Sequence, residues 1–107
     1  MKAVEYLDLR GRSPFADWFS RLDATPAARV VTAITRMEQN NFTNTKSLGS
    51  GLFEYRLTFG PGYRIYFTKD GDTLIILHAG GAKRRQSQDI DAARARLQDY
   101  LERKEEI

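Results

Sequence analysis

The chain has 107 residues, no cysteine, one histidine and a formal net charge of +3 from 17 basic and 14 acidic side chains. This length can bury a hydrophobic core without cross-links, and we expect a single domain over residues 1–107. The composition excludes a disulfide framework and a thiolate metal site, and a lone histidine argues against a histidine-ligated zinc, so neither metal nor cofactor is expected.

The first part of the chain predicts a strand followed by two helices. The N-terminus has no long apolar run, which argues against a signal peptide or a membrane span and favours the cytoplasm. Residues 2–9 are rich in strand formers. Ser13-Pro14 and Thr25-Pro26 are both typical helix starts, and Asn40-Asn41 marks an end. The expected apolar stripes are Phe15, Trp18, Phe19 and Leu22, then Ala27, Val30, Ile34 and Met37. The short gap between the helices predicts an α-hairpin, followed by a polar connector over residues 42–51.

Residues 53–68 predict a β-hairpin with one apolar face. Aromatic and aliphatic residues occupy the odd positions on either side of Gly60-Pro61-Gly62, while polar residues occupy the even ones. A three-residue loop would place Thr58 opposite Arg64 and Arg56 opposite Tyr66. The two arginines would then lie diagonally on the outer face, roughly 7–8 Å apart at the backbone.

The rest of the chain predicts a further hairpin strand and a final helix. An Asp70-Gly71 turn would start a strand that ends at Gly80-Gly81, beside the Gly-Pro-Gly loop. With a two-residue turn, His78 would point into the same core as strand three, and a three-residue turn would reverse this. The final helix should begin at Ser87, with Ile90, Ala93, Leu97 and Leu101 on its apolar side.

Five basic residues should converge at one end of this sheet. They are Arg56, Arg64, Lys83, Arg84 and Arg85. Forked guanidinium groups suit phosphate oxygens, and Tyr66 among them could stack on a base. Charged residues are also common on a solvent-facing strand surface, so the pattern alone leaves both interpretations open. Asp70 and Asp72 are ordinary hairpin-turn residues and do not indicate a metal site.

The segments "KSLGSGLFEYRL", "GPGYRIYF" and "LHAGGAKRRQSQDIDAA" resemble the HigB-like addiction-module killer proteins. These belong to the RelE/ParE toxin superfamily of type II toxin–antitoxin systems. The resemblance implies an α+β fold in which a small antiparallel sheet carries an N-terminal α-hairpin on one face and the RNA site on the other, with a C-terminal helix. It also implies a metal-independent, ribosome-dependent mRNA endoribonuclease that inhibits translation.

The resemblance also assigns roles to residues and partners. Arg64 matches the active-site arginine of the family, Arg56 matches a basic position on the preceding strand, and Lys83, with or without Arg84, matches the basic position after the two glycines. These four residues are the expected catalytic ones. Lys46 and Gln86 match recurring polar positions of the subgroup, and we expect both to bind RNA together with Tyr66 and Arg85 of the basic cluster. Expected partners are the ribosome with its mRNA and a cognate antitoxin, a helix-turn-helix protein through which alone operator DNA is bound. No membrane partner is expected. Two positions depart from the family pattern: Glu54 is acidic, and "SQDID" offers neither tyrosine nor histidine.

These departures leave open which residue acts as the general base. RNA cleavage by the 2′-hydroxyl needs a proton acceptor, charge stabilisation at phosphorus and a proton donor for the leaving 5′-oxygen. Arginine is a poor base, whereas neighbouring arginines would favour the neutral, basic form of Lys83. Orientation of the RNA by the ribosome could instead supply most of the catalysis. Two other functions stay open: a non-catalytic RNA- or ribosome-binding module, and a ParE-type gyrase inhibitor.

Overall fold

A computed structural model describes residues 1–72 and 74–105. The elements are β1 (Lys2–Glu5), α1 (Pro14–Ser20), α2 (Ala24–Glu38), β2 (Thr45–Gly49), β3 (Leu52–Arg56), β4 (Arg64–Asp70), β5 (Leu74–Gly81), a 3₁₀ helix (Lys83–Arg85) and α3 (Gln86–Glu105). No helix within the described ranges combines the length and the apolar character needed to cross a membrane.

The five strands form one sheet in the order β1-β5-β4-β3-β2. All neighbouring strands are antiparallel except β1, which pairs parallel to β5. Helices α1 and α2 bury one face of the sheet, and α3 covers part of the other face. The predicted α+β fold is therefore confirmed, and it is consistent with a RelE-like architecture.

The N-terminal helices form largely for the predicted reasons. Ser13 Oγ accepts a hydrogen bond from the Ala16 N–H at 2.9 Å, and Pro14 is the first residue of α1. The second helix starts earlier than expected, at Ala24 with Asp23 as its N-cap instead of Thr25. Pro26 still lies in the first turn, where its missing N–H costs no intrahelical bond.

The predicted polar connector is wrong in part, because residues 45–49 form strand β2. This strand pairs with β3 and places Lys46 opposite Glu54. Its polar composition resembled a loop because β2 is the edge strand of the sheet, where polar residues can face solvent. The first strand is shorter than predicted, ending at Glu5.

The β3–β4 pairing differs by two residues from the predicted register. Arg56 lies directly opposite Arg64, and Glu54, not Arg56, lies opposite Tyr66. The connection between β3 and β4 is longer than Gly60-Pro61-Gly62. The Leu57 N–H donates to the Tyr63 carbonyl, so residues 58–62 lie between this pair. A two-residue shift preserves which side chains share a face, so the alternation was correct although the diagonal arrangement of the arginines was not.

His78 lies on the opposite face from the one predicted. Asp70 is paired with Leu74, which leaves three residues between the strands instead of two. The ladder then shifts at Tyr66 and Phe67, whose partners are Ala79 and Leu77, so that His78 is the extra residue of a β-bulge.

Gly80 and Gly81 are the last two residues of β5, where the strand was predicted to end. A methyl group added to Gly80 would lie 2.0 Å from Trp18 Cε3, and one added to Gly81 would lie 2.0 Å from Asp89 Oδ2. Trp18 therefore packs on the strand backbone as a core residue. The last helix begins at Gln86 directly after the 3₁₀ helix, so Ser87 is not its cap.

Candidate functional site

A row of residues crosses the sheet at the end where β3, β4 and β5 meet the basic segment. Arg56 on β3 is opposite Arg64 on β4, which is opposite Gly81 on β5. The 3₁₀ helix that carries Lys83 follows Gly81 after a single residue. The row therefore places two guanidinium groups beside a third cationic segment.

A fully buried carboxylate holds the two arginines. Glu54 Oε2 accepts a hydrogen bond from Arg56 Nε at 3.2 Å, and Glu54 Oε1 lies 3.2 Å from Arg64 Nε. The second contact is an ion pair whose N–H is not aligned for a hydrogen bond. Gln86 Nε2 donates to Glu54 Oε1 at 2.6 Å. Glu54 thus joins β3, β4 and the start of α3.

The two arginines differ greatly in exposure. The Arg64 side chain is 10% exposed, whereas that of Arg56 is 44% exposed. Arg64 Nη1 also donates to the Gly62 carbonyl at 2.6 Å, which fixes the guanidinium against the β3–β4 loop. Arg64 is consequently a rigid, nearly buried cation, while Arg56 presents a guanidinium to solvent.

Lys83 approaches Arg64 as predicted. Its N–H donates to the Pro61 carbonyl at 3.2 Å, which docks the β3–β4 loop on the 3₁₀ helix. A methyl group on Gly62 would lie 3.1 Å from Arg64 Nη1 and 3.2 Å from Lys83 Cβ. Gly62 also has φ of 74°, a backbone conformation that favours glycine, and any side chain there would press on Arg64 and Lys83. The side chains of Lys83 and of its 3₁₀-helix neighbours, Arg84 and Arg85, are exposed.

The structure corrects the stacking role expected of Tyr66. Helix α3 covers its ring, which is 0% exposed, so no face is open to a base. Burial and the neighbouring carboxylates Glu54 and Asp89 raise the pKa of the Tyr66 hydroxyl. Tyr66 is therefore a core residue beneath the site.

Asp89, in the first turn of α3, lies over Gly81 at the end of the arginine row. Its Oδ2 atom is buried and has no hydrogen-bond partner among the described residues, and the same is true of the Tyr66 hydroxyl. Burial raises the pKa of the Asp89 carboxyl, against the opposing charges of Arg85 and Arg96. A titratable group with a raised pKa thus borders the site.

Lys46 and Gln86, both predicted to bind RNA, differ in their availability to a ligand. Lys46 is exposed on β2, beside Glu54 in the ladder, and can reach a ligand. The Gln86 side chain instead donates an amide N–H to Glu54. Gln86 therefore helps to position the carboxylate that contacts the two arginines.

His78 lies away from the arginine row, under the C-terminal half of α3. Its ring is 0% exposed and packs between Tyr6 and Tyr100, with centroids at 5.6 Å and 6.4 Å. Burial, together with the nearby Arg96 charge, lowers the pKa of His78 to about 4. His78 is a buried packing residue, as the sequence indicated, although on the other face. The hydrogen bond to a neighbour expected of a core histidine is not found, since neither ring nitrogen has a partner among the described residues.

The two hairpin aspartates do not converge with other ligands. Asp70 accepts from Lys104 Nζ at 2.6 Å and from the Tyr100 hydroxyl, and chiefly the lysine bond lowers its pKa. Across residues 1–72 and 74–105, no three histidine or carboxylate side chains come together as a metal-binding group.

Sequence reasoning missed the contributions of Glu54 and Asp89. Glu54 was recognised only as a departure from a family pattern, although its even position places it on the arginine face. That parity was the available signal. For Asp89 the signal was weaker, because only a three-dimensional structure shows that Gly81 leaves room for its carboxylate.

The fold and this site define a small α+β protein with an arginine-lined site suited to an anion. A family model described as "Phage derived protein Gp49-like (DUF891)" matches residues 17–98, and the chain belongs to this family, a toxin-like family of toxin–antitoxin systems. An uncharacterized protein of Haemophilus influenzae is 37% identical over 86 residues, which cover 79% of this chain and 87% of the relative. Neither match names a reaction.

Proposed function

We propose that this protein is the toxin of a type II toxin–antitoxin system, a HigB-like member of the RelE/ParE superfamily that cuts mRNA on the ribosome. The observation that carries the proposal is the direct pairing of Arg56 with Arg64 beside Lys83, around a buried carboxylate. Family membership supports a toxin-like role, and the geometry supports a phosphate ligand. Such a protein acts in the cytoplasm.

The proposed chemistry assigns charge stabilisation to the arginines. The 2′-oxygen attacks phosphorus, the bond to the 5′-oxygen breaks, and the products are a 2′,3′-cyclic phosphate and a free 5′-hydroxyl. Arg64 and the exposed Arg56 stabilise the negative charge that develops at phosphorus. Lys83, with Arg84 beside it, is the candidate base that takes the proton of the 2′-hydroxyl, and the leaving 5′-oxygen takes a proton from the ammonium group so formed or from water. No step requires a metal.

The proposed partners follow from the same function. The ribosome orients the mRNA, which supplies the positional part of the catalysis. The exposed Lys46, Arg84 and Arg85 contribute electrostatic attraction to RNA. A helix-turn-helix antitoxin holds the toxin silent, and operator DNA is bound only by their complex.

The test is an in vitro translation reaction in which mRNA 5′ ends are mapped by primer extension. We expect cleavage within translated message by the wild type, a loss of at least tenfold with Arg56→Ala and Arg64→Ala, and unchanged cleavage with Arg10→Ala, an exposed arginine outside the site. Thermal unfolding of each variant separates loss of chemistry from loss of fold. Omitting the ribosome should abolish most of the cleavage.

The same reaction separates the two rival functions. Stalled translation with intact mRNA supports a non-catalytic ribosome-binding module. The near-complete burial of Arg64 favours this function, because little of its guanidinium is exposed to an RNA phosphate. Intact mRNA and unaffected translation contradict both ribosomal functions. A DNA-damage response on expression would then indicate a ParE-type gyrase inhibitor.

A further inference from the structure

A second basic surface adjoins the arginine row. A groove of about 300 Å³ lies between α2 and the end of β3. Arg29 and Arg36 line it from α2, and Arg56 lines it from β3. Of the residues whose positions are described, none with a carboxylate lines this groove. Three guanidinium groups therefore line the groove, and of these only Arg56 is paired with a carboxylate of the described residues, that of Glu54.

The helix presents its two arginines on one side. Arg29 and Arg36 are seven residues apart, which is two helical turns, so their side chains share a face and are separated by roughly 10 Å along the axis. Both residues are exposed, and neither takes part in an ion pair within the described residues. Two separate anionic groups can thus be reached from one helix face.

An aromatic ring supports the first of these arginines. The Arg29 guanidinium carbon lies 4.3 Å from the centroid of the half-buried Phe59 ring. This contact holds the exposed Arg29 guanidinium against an aromatic ring, and guanidinium and aromatic groups suit a phosphate and a stacked base respectively.

Arg56 connects the groove with the arginine row. Its Nε is used by Glu54, yet 44% of the side chain is exposed, so the two terminal nitrogens remain accessible. A ligand bound at Arg56 and Arg64 can therefore continue into the groove without leaving the positively charged surface.

We propose that this groove binds the sugar–phosphate backbone of single-stranded RNA next to the phosphate held by Arg56 and Arg64. The identification of the ligand as RNA rests on the proposed function, whereas its anionic, extended character rests on the groove. Arg29 and Arg36 each contact a phosphate, and Phe59 with Arg29 offers a surface for one base. Continuity through Arg56 favours one RNA strand over an acidic protein segment.

The test uses the full-length protein, the Arg29→Ala/Arg36→Ala double variant and a matched control, Arg10→Ala/Arg12→Ala. The control removes the same charge from exposed residues in the loop before α1. Binding to a labelled oligouridylate of about a dozen nucleotides is followed by fluorescence anisotropy over a salt series. We expect the groove variant to bind about tenfold more weakly at low salt and its salt slope to fall by about 1.4, the value for two lost phosphate contacts on a single strand.

The outcomes keep this proposal separate from the proposed function. A groove variant that binds like the control, or a wild type that does not bind the oligonucleotide, overturns the groove assignment even where Arg64-dependent mRNA cleavage is observed. Loss of affinity for an oligoglutamate peptide with unchanged RNA binding also overturns it, in favour of an acidic protein partner. The expected slope change, found without any mRNA cleavage, supports the groove and contradicts the nuclease.

Discussion

Removing the charge of Glu54 should destabilise the protein strongly. Glu54→Gln preserves the size of the side chain but leaves Arg64 without its anionic partner in a site where Glu54 is 0% and Arg64 10% exposed. Breaking a buried ion pair by neutralising one partner costs about 3–5 kcal/mol. The contact with the half-exposed Arg56 adds only about 0–1 kcal/mol. Because a glutamine oxygen can still accept from Gln86, we expect about 3 kcal/mol, the lower end of the range.

This loss can be measured by urea or thermal unfolding at neutral pH. With an unfolding entropy of about 2.1 cal/mol/K per residue, 3 kcal/mol lowers the Tm of this 107-residue chain by roughly 13 °C. Glu5→Gln, at an exposed position on β1, is the control and should stay within about 0.5 kcal/mol of the wild type. A double-mutant cycle with Arg64→Gln should show that the two losses are not additive. A Glu54→Gln protein as stable as the control would refute the view that this carboxylate neutralises a buried arginine.

Three further predictions concern stability. The pKa of His78 in the folded protein, about 4, lies below its usual 6.5, so its contribution to the free energy of unfolding is fully present above pH 6.5 and is lost as pH falls towards 4. His78→Leu should therefore remove about 3 kcal/mol of the acid-induced loss of stability. Parallel curves of stability against pH for the two proteins would contradict this. Gly81→Ala should cost about 1–3 kcal/mol of stability because its methyl group would overlap the Asp89 carboxylate, and it should cost much less in an Asp89→Ala background. Urea unfolding of the four proteins tests this prediction. Equal costs in both backgrounds would show that the Asp89 carboxylate is not what the methyl group meets. Ser13→Ala should cost about 1 kcal/mol through the lost N-cap bond, measured against Ser87→Ala, which caps no helix.

The sequence predicted which face of the sheet each side chain lies on better than it predicted which residues lie opposite each other. Period-two alternation correctly separated Tyr55 and Ile65 from Arg56 and Arg64, because side-chain direction follows from strand geometry alone. Register depended on the length of the β3–β4 connection, which residue types did not determine. A slip of two residues therefore left the faces correct while moving Arg64 from a diagonal to a direct neighbour of Arg56.

The errors arose where distant parts of the chain meet. The burial of Tyr66 is caused by α3, and the reversed direction of His78 by a longer turn and a bulge. Strand β2 was missed because an edge strand with Lys46 facing solvent has the composition of a loop. The supporting role of Glu54 required the positions of Arg64 and Gln86, which are brought together only by the folded sheet and the helix.

At Gly80 and Gly81 only the backbone of β5 separates the helices on the two faces of the sheet. Trp18 of α1 rests against one peptide unit and Asp89 of α3 against the next, on opposite faces of β5. A side chain at either position would therefore force one of the two helices away from β5, next to the 3₁₀ helix that carries Lys83.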